Sequence, residues 1–133
     1  MYTDSVAPRD LDAIIAEGKI RAVTNVNQTS YFIYKGEPMG FHFELLKKFA
    51  DHLELELELV TSNDIDEALG YLQSGSVDLV AIGLSVSADR KEMMQFTEPL
   101  IQTTQVLVQR KPEGWARMTA KTVSDNLVRN QLD

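Results

Sequence analysis

The sequence has no cysteine and only two histidines, His42 and His52. The first absence excludes disulfides, thiol catalysis and cysteine-type zinc sites, without fixing the compartment. The second leaves little for a metal, because neither histidine has ligand-type neighbours at suitable spacing. Both are read as surface residues. No apolar run approaches the ~20 residues of a membrane helix. A glycine-rich phosphate loop, a serine nucleophile elbow and a metal motif are all missing. Carboxylates are plentiful, yet none form an obvious acid–base pair, so no catalytic residue, metal or cofactor is expected. Positive charge is short as well: 13 Lys and Arg against 20 Asp and Glu leave a net charge of −7. The basic residues are scattered, which argues against nucleic acid, since phosphate binding needs a basic face.

What remains is the composition of an ordinary globular chain, with 44% hydrophobic and 25% charged residues in a length of 133, enough for one modest domain with a core. The start, Met1 to Asp10, is polar and shows no signal peptide; residues 1–9 read as a flexible lead-in. Residues 10–18 form a short helix, with Asp10 as the cap and Gly18 as the stop. Residues 19–26 read as a strand, and 27–40 as a loop with a turn at Lys35-Gly36. Residues 43–53 give the clearest helix, with Leu45, Leu46, Phe49, Ala50 and Leu53 on one face. Glu54, Glu56 and Glu58 alternate with leucines. Period two predicts a strand, and the carboxylate face suits a sheet edge.

A second helix follows, with Asp64 and Glu67 as a variant capping box and Gly75 as its end. Residues 77–84 are nearly all apolar after Asp78, as in a parallel strand covered on both faces. A short helix at 87–94, a loop closed by Pro99, an alternating strand at 103–110, a turn at 111–115 and a last short helix complete the chain. Alternation of helix and strand predicts an α/β fold with a mainly parallel sheet flanked by helices. Ligands in such sheets bind beyond the carboxyl ends of the strands. Two loops therefore matter most, 25–34 and 83–90.

The second loop reads GLSVSADR. Ser85 and Ser87 supply hydroxyl donors, and Gly83 lets a ligand approach the backbone. Arg90 falls in a first helical turn, where a cation opposes the macrodipole by ~0.3–1 kcal/mol. A carboxylate held by its guanidinium would explain it. The alternative is Ser87 as a plain N-cap, with Arg90 solvated or paired with Asp89, and these residues alone favour that alternative. In the first loop, Tyr31 or Phe32 could stack on a ligand; the alternative is that they cover the core. The glutamate row is read as a solvated edge face rather than a cation site. Trp115 has no role that the sequence defines.

Taken together, residues 36–60 and 68–100 resemble the extracytoplasmic solute-binding proteins of family 3, which serve ABC transporters. The resemblance rests on Gly40-Phe41-His42, on Leu72, Gly75 and Asp78, on Ser85 to Arg90, and on Phe96 with Pro99. Within that family the chain is most similar to the solute-binding-like module of membrane-bound lytic transglycosylases. The resemblance implies one lobe of a type II periplasmic-binding-protein fold over residues 10–112, with 113–133 as the crossover to a second lobe. It implies an extracytoplasmic, periplasmic location with the leader removed. It implies Gly83, Ser85 and Arg90 as the holders of a carboxylate, and Tyr31 or Phe32 as a packing aromatic. Three positions depart from the family pattern: His42 stands for an Asp, Ile65 for an aromatic wall and Ile82 for a hydroxyl.

The implied function is capture of an amino acid or similar small carboxylate for an ABC permease. The second reading is a non-catalytic sensing or positioning domain of a murein lytic transglycosylase, joined to a peptidoglycan-linked catalytic domain. A third, a dehydratase, would need acid–base residues from two lobes. A lobe without its returning segment exposes sheet edge or core surface, so self-association is expected.

Overall fold

In the computed structural model of the chain, residues 9–104 and 110–129 are described. The chain divides into two units, residues 1–96 and 97–133.

In the first unit, helix α1 (Leu11–Glu17) leads into strand β1 (Lys19–Thr24). Strands β2 (Phe32–Tyr34) and β3 (Glu37–Met39) form an antiparallel hairpin. Helix α2 (Phe41–His52), strand β4 (Glu56–Thr61), helix α3 (Ile65–Gln73), strand β5 (Leu79–Ala81) and helix α4 (Ala88–Met93) follow. The main sheet has the order β4-β1-β5 and is parallel throughout, as the alternation of helix and strand predicts.

The sheet separates two cores. On one face Ile20 packs with Ile14, Ala50 and Leu55. On the other, Val23 packs with Ala68 and Val77. Ile20 and Val23 are an odd number of residues apart, so β1 sends them to opposite faces. Burying a side chain such as Val23, which has no exposed surface, contributes roughly 1.5–3 kcal/mol.

Several local expectations are revised. Asp10 stands at the N-cap of α1, but its side chain caps nothing; its carbonyl accepts from the Ala13 and Ile14 N–H groups. Residues 32–39 form a hairpin rather than a plain loop. Its turn is at Lys35 and Gly36, both with positive φ (51° and 85°), the geometry of a tight two-residue hairpin turn. Strand β5 covers only Leu79–Ala81, and all three residues are partly exposed. It is an edge strand among the described residues, not one covered on both faces. The edge position of β4 agrees with its charge pattern. Glu58, however, is not simply solvated: its carboxylate accepts from Lys19 Nζ at 2.8 Å and lies 3.4 Å from Arg21 Nε. The bond from Lys19 holds the Glu58 carboxyl below its usual range and raises Lys19 in turn.

Asp78 closes the opposite end of the sheet from the loops of interest. Its Oδ2 accepts the Arg21 N–H at 2.8 Å, and its carboxylate takes Arg9 Nε at 3.1 Å and Nη2 at 2.6 Å. Its own N–H donates to the Arg21 carbonyl. The aspartate of the Leu72, Gly75 and Asp78 pattern is thus a structural staple.

In the second unit, a 3-10 turn (Trp115–Arg117) precedes helix α5 (Ala120–Arg129). Trp115 is exposed, with Lys111 Nζ 3.4 Å from its ring centre. The strand expected at 103–110 falls mainly on residues 105–109, outside the described residues.

Candidate functional site at the carboxyl ends of the strands

Parallel pairing of β1 with β4 and β5 brings three loops to one edge of the sheet. Side chains join them there. Thr24 Oγ1 at the end of β1 donates to the Ala81 carbonyl at the end of β5, at 2.7 Å. The Val26 N–H donates to Asn63 Oδ1 beyond β4, at 2.8 Å. The β1 loop is shaped by Asn27, whose Oδ1 accepts the Thr29 and Ser30 N–H groups at 2.8 and 2.6 Å, an Asx-type turn.

That loop also closes the amino end of α2. The Phe41 N–H donates to the Thr29 carbonyl at 2.7 Å, and the Phe43 N–H to the Ser30 carbonyl at 3.2 Å. Gly40 lies between, at φ 129°, and a Cβ there would come within 2.4 Å of the Ser30 carbonyl oxygen. Donors that would otherwise be free to hold an anion are therefore occupied at α2.

The amino end of α3 is likewise closed. Asp64 Oδ1 accepts from the Asp66 and Glu67 N–H groups. The expected capping box is relayed rather than direct: Ser62 Oγ accepts the Asp64 N–H and donates to Glu67 Oε2. Hydrogen bonds from Ser62 and then Tyr71 hold the Glu67 carboxyl below its ordinary value.

The 83–90 loop differs. Arg90 folds back so that Nη1 donates to the Ser85 carbonyl oxygen at 3.0 Å and to Ser85 Oγ at 3.1 Å. Since Ser85 Oγ accepts from Arg90, its own hydrogen is free to donate outward. Ser87 caps α4 by accepting the Arg90 N–H at 3.4 Å. The N-cap reading of Ser87 is thus correct, but Arg90 pairs with neither Asp89 nor any other carboxylate among the described residues. Gly83 is exposed, with open space where a side chain would project.

Ser85 and Arg90 are therefore in direct contact. Tyr31 and Phe32 stand on the neighbouring β1 loop, both half-buried. The Tyr31 ring meets Phe43 edge-on at 5.7 Å, so it also serves as local packing. The apolar departures have separate fates. Ile65 is exposed at the start of α3, while Ile82 packs against the Val23, Ala68 and Val77 core. Ile82 is partly buried and contributes to that core.

Two residues at this edge were not singled out as ligand contacts. His42, expected on the surface, is half-buried on α2; its Nδ1 is shut off from solvent without a hydrogen-bond partner. Burial pushes the imidazole below its ordinary value. Asn25 Oδ1 is also buried and unpartnered. The available signal was a polar residue directly after an apolar strand. Among the described residues no group of His, Asp and Glu side chains could hold a metal, and no helix is long and apolar enough to cross a membrane.

Residues 20–130 match the bacterial extracellular solute-binding proteins, family 3. The chain belongs to this family. Its relatives include membrane-bound lytic murein transglycosylase F of Desulfosudis oleivorans, 34% identical over 87% of this chain and 27% of that protein. The protein of the same name from Stutzerimonas stutzeri is 36% identical over 87% of this chain and 25% of that protein. The chain thus spans about a quarter of the length of these curated relatives. Among solved structures, an ancestral cationic amino acid solute-binding protein is 31% identical, with a TM-score of 0.55, over 62% of this chain and 36% of that one. A point mutant of the arginine-bound domain 1 of TmArgBP superposes with a TM-score of 0.62 at 23% identity, covering 69% and 72% of the two chains. That last likeness establishes the fold alone. This chain is a family 3 solute-binding domain with the α/β architecture of periplasmic binding proteins, related both to amino-acid-binding proteins and to the lytic transglycosylase F proteins.

Proposed function

We propose that this domain is an extracytoplasmic substrate-binding module that captures an amino acid or similar small carboxylate on Gly83, Ser85 and Arg90. The observation that carries this reading is Arg90. Its guanidinium is anchored on Ser85 through one nitrogen, faces no carboxylate among the described residues, and stands at the edge where parallel sheets bind ligands. A carboxylate there would accept from the remaining guanidinium N–H groups and from the Ser85 hydroxyl, a charge-assisted arrangement. Gly83 leaves room for it, and Tyr31 and Phe32 supply apolar surface beside it. The likeness to an ancestral cationic amino acid solute-binding protein supports an amino-acid-like ligand. The family's extracellular description supports a periplasmic location and, for a transport role, an ABC permease as partner.

A second reading is favoured by the curated relatives. A chain that matches a quarter of a murein lytic transglycosylase would act as its non-catalytic sensing or positioning domain, with glycan cleavage carried elsewhere in that enzyme. The two readings share the carboxylate site and differ in what it serves. Calorimetric titration of the chain with amino acids and with muropeptides tests both. Heat of binding that disappears in Arg90→Ala supports the site, and the tighter of the two ligand sets decides between transport and sensing. Binding unchanged in Arg90→Ala overturns the site.

A further inference from the structure

Among the described residues three polar residues are buried, Thr24, Ser30 and Ser62, and all three stand at the carboxyl edge of the sheet. A buried hydroxyl is costly unless it is hydrogen-bonded, so what each residue holds is informative. Ser30 and Ser62 serve helices. The Ser30 carbonyl takes the Phe43 N–H at the start of α2. Ser62 Oγ accepts the Asp64 N–H and donates to Glu67 Oε2 at the start of α3. Thr24 instead joins the ends of all three strands. Its carbonyl accepts the Ser62 N–H beyond β4 at 2.9 Å, and its hydroxyl donates to the Ala81 carbonyl of β5 at 2.7 Å.

That second bond leads into the carboxylate loop through fixed links. Strand β5 has three residues, and Thr24 with Ala81 is its last pair with β1. Ile82 comes next, packed against the Val23, Ala68 and Val77 core. The Ile82 carbonyl accepts the Leu84 N–H at 2.7 Å, which closes a three-residue turn with Gly83 at its centre. Ser85 follows, and Arg90 Nη1 donates to its carbonyl and its hydroxyl. The hydrogen bonds thus run from Thr24 to Ala81, from Leu84 to Ile82 and from Arg90 to Ser85. At its other end β5 is held through Asp78, bonded to Arg9 and to the Arg21 N–H. The strand is pinned at both ends, and the Thr24 pin is the one that adjoins the site.

We propose that Thr24 is a positioning residue of the carboxylate site: by fixing the Ala81 carbonyl, its hydroxyl sets where Gly83, Ser85 and Arg90 stand, without touching the ligand itself. This rests on the Arg90 carboxylate reading. Groups that meet a ligand must be held within about 0.5 Å of their productive positions. Loss of the hydroxyl leaves the Ala81 carbonyl without that donor and releases the loop at its root.

The test is NMR titration of the nitrogen-15-labelled full chain with acetate and with alanine. It compares the wild type with Thr24→Val, Thr24→Ala, Thr24→Ser, Asp78→Asn and Arg90→Ala, each well below its melting temperature. Thr24→Val and Thr24→Ala both remove the hydroxyl, so either one suffices if the other fails to fold. They should bind about tenfold more weakly than the wild type, the worth of one hydrogen bond. Their Gly83 and Ser85 amides should be displaced before ligand is added. Thr24→Ser keeps the donor and should bind within about twofold of the wild type. Asp78→Asn loosens the far pin and should lose stability while keeping its affinity, which separates positioning from general destabilisation. Wild-type affinity without the Thr24 hydroxyl, with binding still lost in Arg90→Ala, overturns the proposal and leaves the carboxylate site standing. Equal weakening in Thr24→Val and Asp78→Asn, or in Thr24→Val and Thr24→Ser, also overturns it, because this one bond would then not be what matters. Binding indifferent to Arg90 overturns both.

Discussion

Arg90 Nη1 lies 3.0 Å from the Ser85 carbonyl oxygen and 3.1 Å from Ser85 Oγ, while the Arg90 N–H is capped by Ser87. One residue thus closes its own helix start with its backbone and the preceding loop with its side chain. That settles why a cation tolerates a first helical turn. The opposition of the macrodipole, about 0.3–1 kcal/mol, is offset by bonds to a carbonyl and a hydroxyl. Only one guanidinium nitrogen, Nη1, makes these bonds.

The Asp78 staple predicts the largest stability loss. Its side chain is 4% exposed and joins Arg9 to the Arg21 backbone. Asp78→Ala leaves Arg9 without its bidentate partner and should destabilise the chain by about 3 kcal/mol. Asp78→Asn keeps an acceptor for the Arg21 N–H and should cost less. Urea denaturation of the two variants checks the order; equal stability to the wild type would contradict the assignment.

Gly40 should resist substitution. Gly40→Ala must fit a Cβ 2.4 Å from the Ser30 carbonyl oxygen at φ 129°, and both strain and clash act together. A cost of about 2 kcal/mol or more is expected. Because the 27–31 loop caps α2 through Thr29 and Ser30, amide exchange at Phe41 and Phe43 should accelerate with it. Unchanged exchange there would show that the loop adapts.

His42 predicts a pH dependence. Burial favours the neutral imidazole in the folded chain, whereas the unfolded chain protonates near ~6.5. Between the lowered folded value and ~6.5 the unfolded chain binds the extra proton, so stability falls as pH drops through this window. His42→Gln should flatten the change in melting temperature between about pH 7.5 and 5.5. Parallel slopes for wild type and His42→Gln would contradict the burial.

Helix α2 carries more apolar surface than the sheet covers. Leu46 and Ala50 are buried, yet Phe41, Leu45 and Phe49 are 46%, 37% and 43% exposed along one flank. An uncovered stripe of this kind favours association. The chain should show concentration-dependent sedimentation, and Leu45→Glu should shift it toward monomer. A strict monomer over a wide concentration range would contradict this.

Much of the fold was legible because hydrophobic period and chain order act together. The wide apolar stripe of 43–53 and the alternation in 56–60 each fit one element, and the α/β order follows. The short elements were harder to read. Three-residue strands such as Phe32–Tyr34 and Glu37–Met39 are too brief for period two to register, and only the turn at Lys35-Gly36 marked them. Strand β5 looked doubly covered because Val77 to Leu84 is apolar, yet an edge strand can be equally apolar where only part of each face is packed. In the site, Arg90 was visible because it violates a local electrostatic rule. His42 and Asn25 were not, because an orphaned polar atom is defined by neighbours that sequence alone does not place. The packing of Ile82 against the Val23, Ala68 and Val77 core was hidden for the same reason.

The central claim, that Arg90 holds a ligand carboxylate, is tested most directly by NMR of the uniformly nitrogen-15-labelled chain titrated with acetate and with N-acetylalanine. The account predicts a saturable shift of the Arg90 Nε–H resonance together with the Gly83 and Ser85 amides, absent from Arg90→Ala at those amides. Shifts that spare Gly83, Ser85 and Arg90, or that persist in Arg90→Ala, would contradict it.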